Sequence, residues 1–389
     1  MMRAGPQSTC VALCVAGAAL CAQQTTAAEW QAVPSGYVGT SYADNPRLLA
    51  GGGSSSSGTV GEVKASLKRA TERSELTLLP RFVSSRYSDD ETLDTDDMFA
   101  TAGYRWVGER SEWNMNLGLT RDTTLTSELG STGLVDSNRR HEAGSFTVSP
   151  TVMLTERVVG GVQMFVVDNR YIDADFTGLT DYRYTTLSLF SRVVLTDAGS
   201  ALTVTAQGGE LSTDGFRGFE TRDGSLRLRW EFRPWLLWSA ALSAGPSLVE
   251  TDAGSDTGFV FDGEIKRQGD RWSLAANAGR SQSPTGRGVL TRRDEVHLSF
   301  NRAITERLSA TVGARWIRSE DLLPEQAGVR AYQVDYARLD IGANWRLSRD
   351  WSLSLRLGGN TQDYELAAER ANGYRASLNV VWNGQPQFL

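Results

Sequence analysis

Apolar and polar residues alternate along this chain in segments of roughly 10 to 14 residues. In segment 225–232, leucine, tryptophan and phenylalanine at the even positions alternate with serine, arginine and glutamate at the odd ones. Segments 338–345 and 375–380 alternate in a similar way. Successive side chains of a β-strand point to opposite faces, so each segment has one apolar and one charged face. The alternation therefore predicts an all-β chain.

The connections between these segments alternate between short charged turns and longer loops that are acidic or rich in Gly and Ser. The expected turns are 70–73, 108–110, 155–157, 196–199, 233–234, 269–271, 305–307 and 348–350. The expected loops are 43–58, 88–97, 122–139, 169–181, 211–223, 250–257, 281–288, 319–330 and 361–372. Seventeen connections predict about 18 strands, with 16 as the alternative count, and both chain ends on the turn side. Short periplasmic turns and longer extracellular loops are typical of a transmembrane antiparallel β-barrel, whose closure removes the exposed edges.

Aromatic residues are sorted by the strand end near which they occur. The tryptophans near the turns or the end of the last strand are Trp106, Trp113, Trp230, Trp235, Trp238, Trp272, Trp345, Trp351 and Trp382. The tyrosines near the loops are Tyr42, Tyr87, Tyr171, Tyr182, Tyr332, Tyr364 and Tyr374. Two aromatic girdles are expected at the two interfaces of a membrane. A soluble sandwich or solenoid is the alternative, but its core would not need aromatics sorted in this way.

The first 28 residues have the features of a signal peptide. Arg3 precedes an apolar run over 10–22, and small residues stand before a cleavage point after Ala28. All three cysteines lie in this stretch, so the chain after cleavage has none. We therefore expect a signal peptide over 1–28 and a barrel over 29–389, in the outer membrane of a Gram-negative bacterium.

Strand parity assigns a set of charged residues to the lumen. The expected basic set is Lys64, Lys68, Arg81, Arg105, Arg192, Arg227, Arg229, Lys266, Arg293, Arg315, Arg338, Arg356 and Arg375. The expected acidic set is Glu62, Glu75, Glu231, Asp262, Glu264, Glu295 and Asp340. These sets predict a wall with about six excess positive charges that favours anionic solutes. The alternative is a mixed wall in which pairs such as Arg229 and Glu231 neutralise each other.

Catalytic and metal-binding residues are scarce. The chain has two histidines, His141 and His297, and no Gly-x-Ser-x-Gly motif. His141 with Asp136 is conceivable as an acid–base pair, but nothing fixes a third group. A histidine at the rim of a barrel is usually polar surface. The expectation is no enzyme, no cofactor and no metal site.

The acidic loop 88–97 could bind divalent ions that bridge lipopolysaccharide, although a solvated loop is the simpler interpretation. The expected partners are outer-membrane lipid, lipopolysaccharide and the barrel-assembly machinery. The net charge of −6 argues against nucleic acid.

Three stretches together resemble outer-membrane barrel proteins encoded with exopolysaccharide and exosortase (PEP-CTERM) gene clusters. They are Tyr-Ala-Asp-Asn-Pro-Arg-Leu at 42–48, Arg-Asp-Thr-Thr-Leu-Thr-Ser-Glu-Leu at 121–129 followed by Gly133, and Ser-Pro at 149–150 followed by Leu-Thr-Glu-Arg at 154–157. The resemblance implies a barrel that passes an exopolysaccharide or supports its passage, with the polysaccharide and periplasmic export components as partners. It implies no catalytic residues.

Four functions follow from these observations. The leading one is a polar channel for export of an exopolysaccharide. The alternatives are a general diffusion porin for small anionic solutes, a non-conducting structural barrel and a barrel hydrolase. A diffusion porin should carry a loop that constricts the lumen, and none of the expected loops is obviously long enough for this.

Overall fold

The computed structural model describes residues 30–49, 51–131, 138–174, 177–196, 199–213, 220–233, 235, 237–251, 254–322, 333–364 and 370–388. The expected signal peptide lies outside the described residues. The first nine strands are β1 Trp30–Asp44, β2 Ser55–Ala70, β3 Ser74–Tyr87, β4 Thr95–Val107, β5 Ser111–Thr123, β6 Arg140–Met153, β7 Val158–Ile172, β8 Tyr182–Val194 and β9 Ala201–Thr213. The following strands are β10 Glu220–Phe232, β11 Trp238–Thr251, β12 Gly254–Gln268, β13 Trp272–Pro284, β14 Leu290–Ala303, β15 Leu308–Asp321, β16 Gln333–Arg346, β17 Trp351–Tyr364, β18 Ala371–Asn383 and the two-residue β19 Gln387–Phe388.

Every strand from β1 to β17 pairs antiparallel with the next one along the chain, and β18 pairs with β1. The result is a closed barrel of 18 long strands, which confirms the fold expected from the alternation. Residues 387–388 add a short pairing at the beginning of β1. The described chain also contains a 3-10 turn at Glu91–Leu93 and one helix, α1, at Thr124–Ser131. Within the described residues no helix is long and apolar enough to cross a membrane.

The two ends of the barrel differ as the connection lengths predict. Both ends of the described chain lie with the short turns, and we call this side the turn end and the other the loop end. Several strands continue into segments that the sequence assigns to loops. Within expected loop 250–257, for example, β11 runs to Thr251 and β12 begins at Gly254. Residues 254–257 are all small or polar, so the apolar–polar alternation stops there while backbone pairing continues.

The outward face of the barrel is apolar and exposed. On β10, Leu226 is 53% exposed, Leu228 50% and Trp230 45%. Comparable residues recur on the outward faces of the other strands, so the apolar surface surrounds the barrel. Such a surface needs a lipid environment. The strand tryptophans of the turn end all lie on this outward face: Trp106, Trp113, Trp230, Trp238, Trp272, Trp345, Trp351 and Trp382.

The second aromatic girdle, expected at the loop end, is only partly present. Tyr42 and Tyr374 point outward and are 47% and 63% exposed. Tyr87, Tyr171 and Tyr182 belong to the inward faces instead. Of the other two tyrosines expected there, residue 332 lies outside the described chain and the side chain at 364 is not described. The expectation was wrong for the three inward tyrosines because the position of a residue at a strand end does not fix its face.

Candidate functional site in the lumen

The strand registers place the expected lumen residues on the inward faces. Directly paired residues share a face, and Lys64 is paired with Arg81, while Gly358 is paired with both Asp340 and Arg375. The residues on these faces are Lys64, Arg81, Arg227, Arg229, Glu231, Glu264, Lys266, Arg293, Arg338, Asp340, Arg356 and Arg375.

Most of these charges are paired with one another. Arg229 donates from Nε to Glu231 Oε1 at 3.1 Å and from Nη1 to Asp262 Oδ1 at 3.1 Å. Arg315 Nε and Arg293 Nη2 both donate to Glu295, at 2.7 and 2.8 Å. Ladders of this kind solvate a wide wall and cancel much of its field, as the mixed-wall alternative expects.

The predicted basic excess of the wall needs correction. The registers add six carboxylates and one arginine to the inward faces: Asp97, Glu112, Asp122, Asp223, Asp256, Asp321 and Arg346. Five of these carboxylates lie near the loop end, where the strands run beyond the range expected from the alternation. The excess of about six positive charges therefore largely disappears from the described lumen, and any preference for anions must come from local groups.

A polar cavity of about 560 Å³ occupies the lumen beside β7–β14. Its lining includes Gln207, Arg227, Asp262, Asn277 and His297. A second cavity of about 470 Å³ lies against β15–β18 and β1. Both volumes lie within the range of about 300–1,000 Å³ that is typical of small-molecule sites.

Above Phe261 the β13–β14 hairpin separates from β12, although β14 stays paired with β15 up to Thr291 and Asp321. β12 and β13 form only eight residue pairs, and the pairing ends at Phe261 and Arg280, whereas β11 and β12 form fourteen. β13 and β14 stay paired with each other up to Pro284 and Leu290. We call residues 281–293 the inserted hairpin.

Two side-chain contacts show that the inserted hairpin lies inside the barrel. Gln282 Nε2 donates to Ser247 Oγ, on the inward face of β11, at 3.2 Å. Arg292 Nη2 donates to Asp256 Oδ2, on the inward face of β12, at 2.7 Å. The hairpin therefore covers the inner faces of β11 and β12 near the loop end.

The tip of the inserted hairpin reaches the connection between β7 and β8. The Gly286 carbonyl accepts a hydrogen bond from the Thr180 amide at 2.7 Å. A Cβ at Gly286 would lie 2.6 Å from the Tyr171 hydroxyl, so only glycine permits this approach. The tip thus narrows the lumen at the loop end. The sequence did not predict that any loop would constrict the lumen.

An apolar cluster fills the mouth around this tip. Its buried members are Tyr184, Leu211, Val249, Leu290 and Leu322, contributed by β8, β9, β11, β14 and the β15–β16 connection. Leu290 of the inserted hairpin joins side chains from the inward faces of β8, β9 and β11, so the hairpin packs against the wall at the mouth. We call these five residues the mouth cluster.

A second element packs inside the mouth, against β15, β16 and β18. Leu48, in the connection between β1 and β2, is 1% exposed and packs with Ile317, Tyr336 and Ala371. Asn45 holds this connection, because its Nδ2 donates to the Asn372 carbonyl at 2.9 Å. Leu48 has a φ of 50°, a costly conformation for leucine that the packing must maintain. Both residues belong to the 42–48 stretch of the family resemblance.

His141 lies buried in the wall and has two polar partners. Nδ1 lies 2.8 Å from Asp122 Oδ1, and Nε2 lies 2.8 Å from Asn169 Oδ1. The partner expected from the sequence, Asp136, lies outside the described residues. With both ring nitrogens engaged, the arrangement is suited to holding β5, β6 and β7 together rather than to proton transfer to a substrate.

His141→Ala is therefore expected to destabilise the barrel by roughly 3 kcal/mol, since it leaves the buried Asp122 without this partner. His297→Ala is the matched control, because that side chain is only partly buried and faces the lumen. Thermal unfolding in detergent measures both variants. If the native protein had a hydrolytic activity and the His141→Ala variant lost it while keeping the native stability, the structural role of His141 would be contradicted.

The acidic loop between β3 and β4 uses several of its carboxylates internally. Asp94 accepts from the Tyr87 amide at 2.8 Å, and Arg47 forms an ion pair with Asp90 at 3.4 Å. Hydrogen bonds from the Thr92 hydroxyl and amide hold the pKa of Asp90 below its ordinary value, with a smaller contribution from Arg47. These contacts favour a structural role for the loop. No group of three or more His, Cys, Asp or Glu in the described chain could hold a metal ion.

Comparisons with known proteins agree with the fold. No protein-family model and no curated protein matches the chain. It is similar to OccK2 (OpdF) of Pseudomonas aeruginosa, with a TM-score of 0.50, 9% identity, and coverage of 91% of this chain and 98% of that chain. The structure of OccK2 in complex with glucuronate gives the same values. The FrpB iron transporter of Neisseria meningitidis, in its apoprotein form, has a TM-score of 0.49 and 9% identity over 87% of this chain, which spans 62% of its length. At these identities, the likeness to OccK2 shows a shared outer-membrane barrel fold.

Proposed function

We propose that this protein is an outer-membrane channel for small polar solutes, constricted at its loop end. The observation that carries the proposal is the inserted hairpin, which lies inside the barrel and meets the β7–β8 connection across the lumen. The charged inward faces and the two polar cavities provide a hydrated path below this constriction. A diffusion porin is expected to carry such a constriction.

Export of an exopolysaccharide is the second candidate, supported by the family resemblance and by the way the inserted hairpin is attached. The hairpin is separated from β12 above Phe261 and contacts the β11–β12 wall through Gln282 and Arg292. Movement out of the lumen would leave the β12–β13 pairing below intact but would have to break or carry with it the β14–β15 pairing, which continues up to Thr291 and Asp321. A polymer would require this movement, whereas small solutes would not.

The proposal includes an outer-membrane location, with lipid and lipopolysaccharide around the barrel, insertion by the barrel-assembly machinery and no enzymatic activity. The exposed apolar outward face and the tryptophans of the turn end support the membrane location.

Planar bilayers and liposome swelling test the function. The protein is expected to give discrete conductance steps and to admit monosaccharides while excluding oligosaccharides. Loss of secreted polymer in a deletion strain, with unchanged uptake of small solutes, would favour export instead. Absence of conductance from both the native protein and a variant without the hairpin tip would favour a structural barrel.

A further inference from the structure

Three arginines and one carboxylate form a cluster on the lumen wall at β16–β18. Arg338 Nη2 and Arg375 Nη2 both donate to Asp340 Oδ1, at 3.0 and 2.7 Å. Arg356 lies on the same inward face, paired across the strands with Gly342. The cluster thus contains three guanidinium groups and one carboxylate, which pairs with two of them, and it carries two excess positive charges.

Arg356 is the unused group of this cluster. It has no ion pair and no hydrogen bond with any described residue. Within the described chain, only two of the thirteen basic residues assigned to the lumen have no ion pair, Arg356 and Arg227. Arg227 donates a hydrogen bond to Gln207 at 2.6 Å. A guanidinium without an acceptor beside two further arginines is suited to a carboxylate, which accepts two parallel hydrogen bonds from it.

The surroundings of the cluster suit a ligand that also carries hydroxyl groups. The cavity of about 470 Å³ is lined by the three arginines together with Ser41, Ser377 and Thr311. Gly358 leaves room for this arrangement, since a Cβ there would lie 2.8 Å from Asp340 Oδ1 and 2.9 Å from Arg375 Nε and would displace these side chains. The absence of that side chain lets the charged groups lie flat against the wall and leaves the cavity open.

Further polar groups without partners lie nearer the loop end of the same wall. Gln362, on the inward face of β17, is 0% exposed, and neither amide atom of its side chain has a hydrogen-bond partner among the described residues. Asn360, one inward position below it, has an unpartnered Oδ1. Buried carboxamides of this kind are normally satisfied, and they are located between the mouth and the arginine cluster.

We propose that the Arg338–Arg356–Arg375 cluster is a binding site for a sugar acid, a monosaccharide with one carboxylate and several hydroxyl groups. The carboxylate binds Arg356 and Arg375, and the hydroxyl groups meet the serine and threonine hydroxyls of the cavity. The proposal rests on the channel function and names its preferred solute class. It also locates selectivity in a wall whose total charge is nearly balanced.

The test measures how glucuronate blocks the potassium chloride current of single channels. In Arg356→Gln, the half-blocking concentration is expected to rise about tenfold, which corresponds to the loss of one charge-assisted hydrogen bond. Arg227→Gln is the matched control, because it removes the same charge from the opposite wall, and it should leave the half-blocking concentration nearly unchanged. Glucose and inorganic phosphate serve as probes that lack the carboxylate or the sugar.

Equal shifts in the two variants would overturn the site and leave the channel function standing, as would equal block by glucose or phosphate. Calorimetric titration of the detergent-solubilised protein with glucuronate does not require conduction. If the native protein fails to conduct, binding that is lost in Arg356→Gln but kept in Arg227→Gln still supports the site, and absence of binding overturns it. Heat-modifiable mobility in gels confirms that both variants are folded.

Discussion

Removal of the inserted hairpin's tip is expected to raise the single-channel conductance severalfold. Replacing residues 283–291 with Asn-Gly would join Gln282 to Arg292 by a two-residue turn, which matches their direct pairing in the hairpin. The change deletes Gly286, which contacts the β7–β8 connection, and Leu290 of the mouth cluster. Larger sugars should then enter proteoliposomes that exclude them when the native protein is present.

A cross-link that fixes the hairpin provides the matched control. Gln282 reaches Ser247 through the end of its side chain, with 3.2 Å between Nε2 and Oγ, and the sequence beyond residue 21 contains no cysteine. A Ser247→Cys and Gln282→Cys double variant, joined by a short bis-thiosulfonate linker that replaces the length of the glutamine side chain, should have native or lower conductance, and cleavage of the linker by a reductant should not lower it further. Unchanged conductance after truncation, or a larger conductance with the cross-link in place, would contradict the role of the hairpin as the constriction.

The closed barrel could be predicted because the pattern that produces it is local in the sequence. A strand between lipid and water must alternate, and this condition holds in segments such as 225–232 and 338–345. Above the membrane the condition no longer applies, and expected loop 250–257 proved to be mostly paired strand. The carboxylates Asp256 and Asp321 were missed for the same reason, since they stand on strand extensions that the sequence assigned to loops.

The inserted hairpin could not be predicted because its causes are distant in sequence. The sequence assigned 281–288 to a loop, whereas residues 281–284 and 290–293 pair with each other as the two arms of a hairpin. What holds the hairpin inside the barrel are contacts such as that of Arg292 with Asp256, 36 residues away, and that of Gly286 with Thr180. The arginine cluster is intermediate. Parity assigned its members to the lumen, but only the side-chain contacts show that Arg338 and Arg375 share Asp340 while Arg356 has no ion pair with a described residue.

Arginine at a lipid-facing leucine is expected to cost about 2–4 kcal/mol of folding free energy, whereas arginine at a lumen-facing leucine of similar exposure should cost little. Leu226 is 53% exposed near the middle of β10, on the outward face. Leu79 is 44% exposed near the middle of β3, on the inward face that also carries Arg81. Urea unfolding from phosphatidylcholine vesicles, followed by tryptophan fluorescence, measures Leu226→Arg and Leu79→Arg.

The comparison is informative because exposure alone cannot separate the two positions. In a soluble barrel both leucines would contact water, and arginine would be tolerated equally at both. In a membrane, the guanidinium at 226 must enter hydrocarbon, while the one at 79 enters the hydrated lumen beside Arg81 and Glu62, which already form an ion pair at 3.3 Å. Equal stability of the two variants would refute the membrane location, and a lower stability of Leu226→Arg alone would establish which face of the barrel meets lipid.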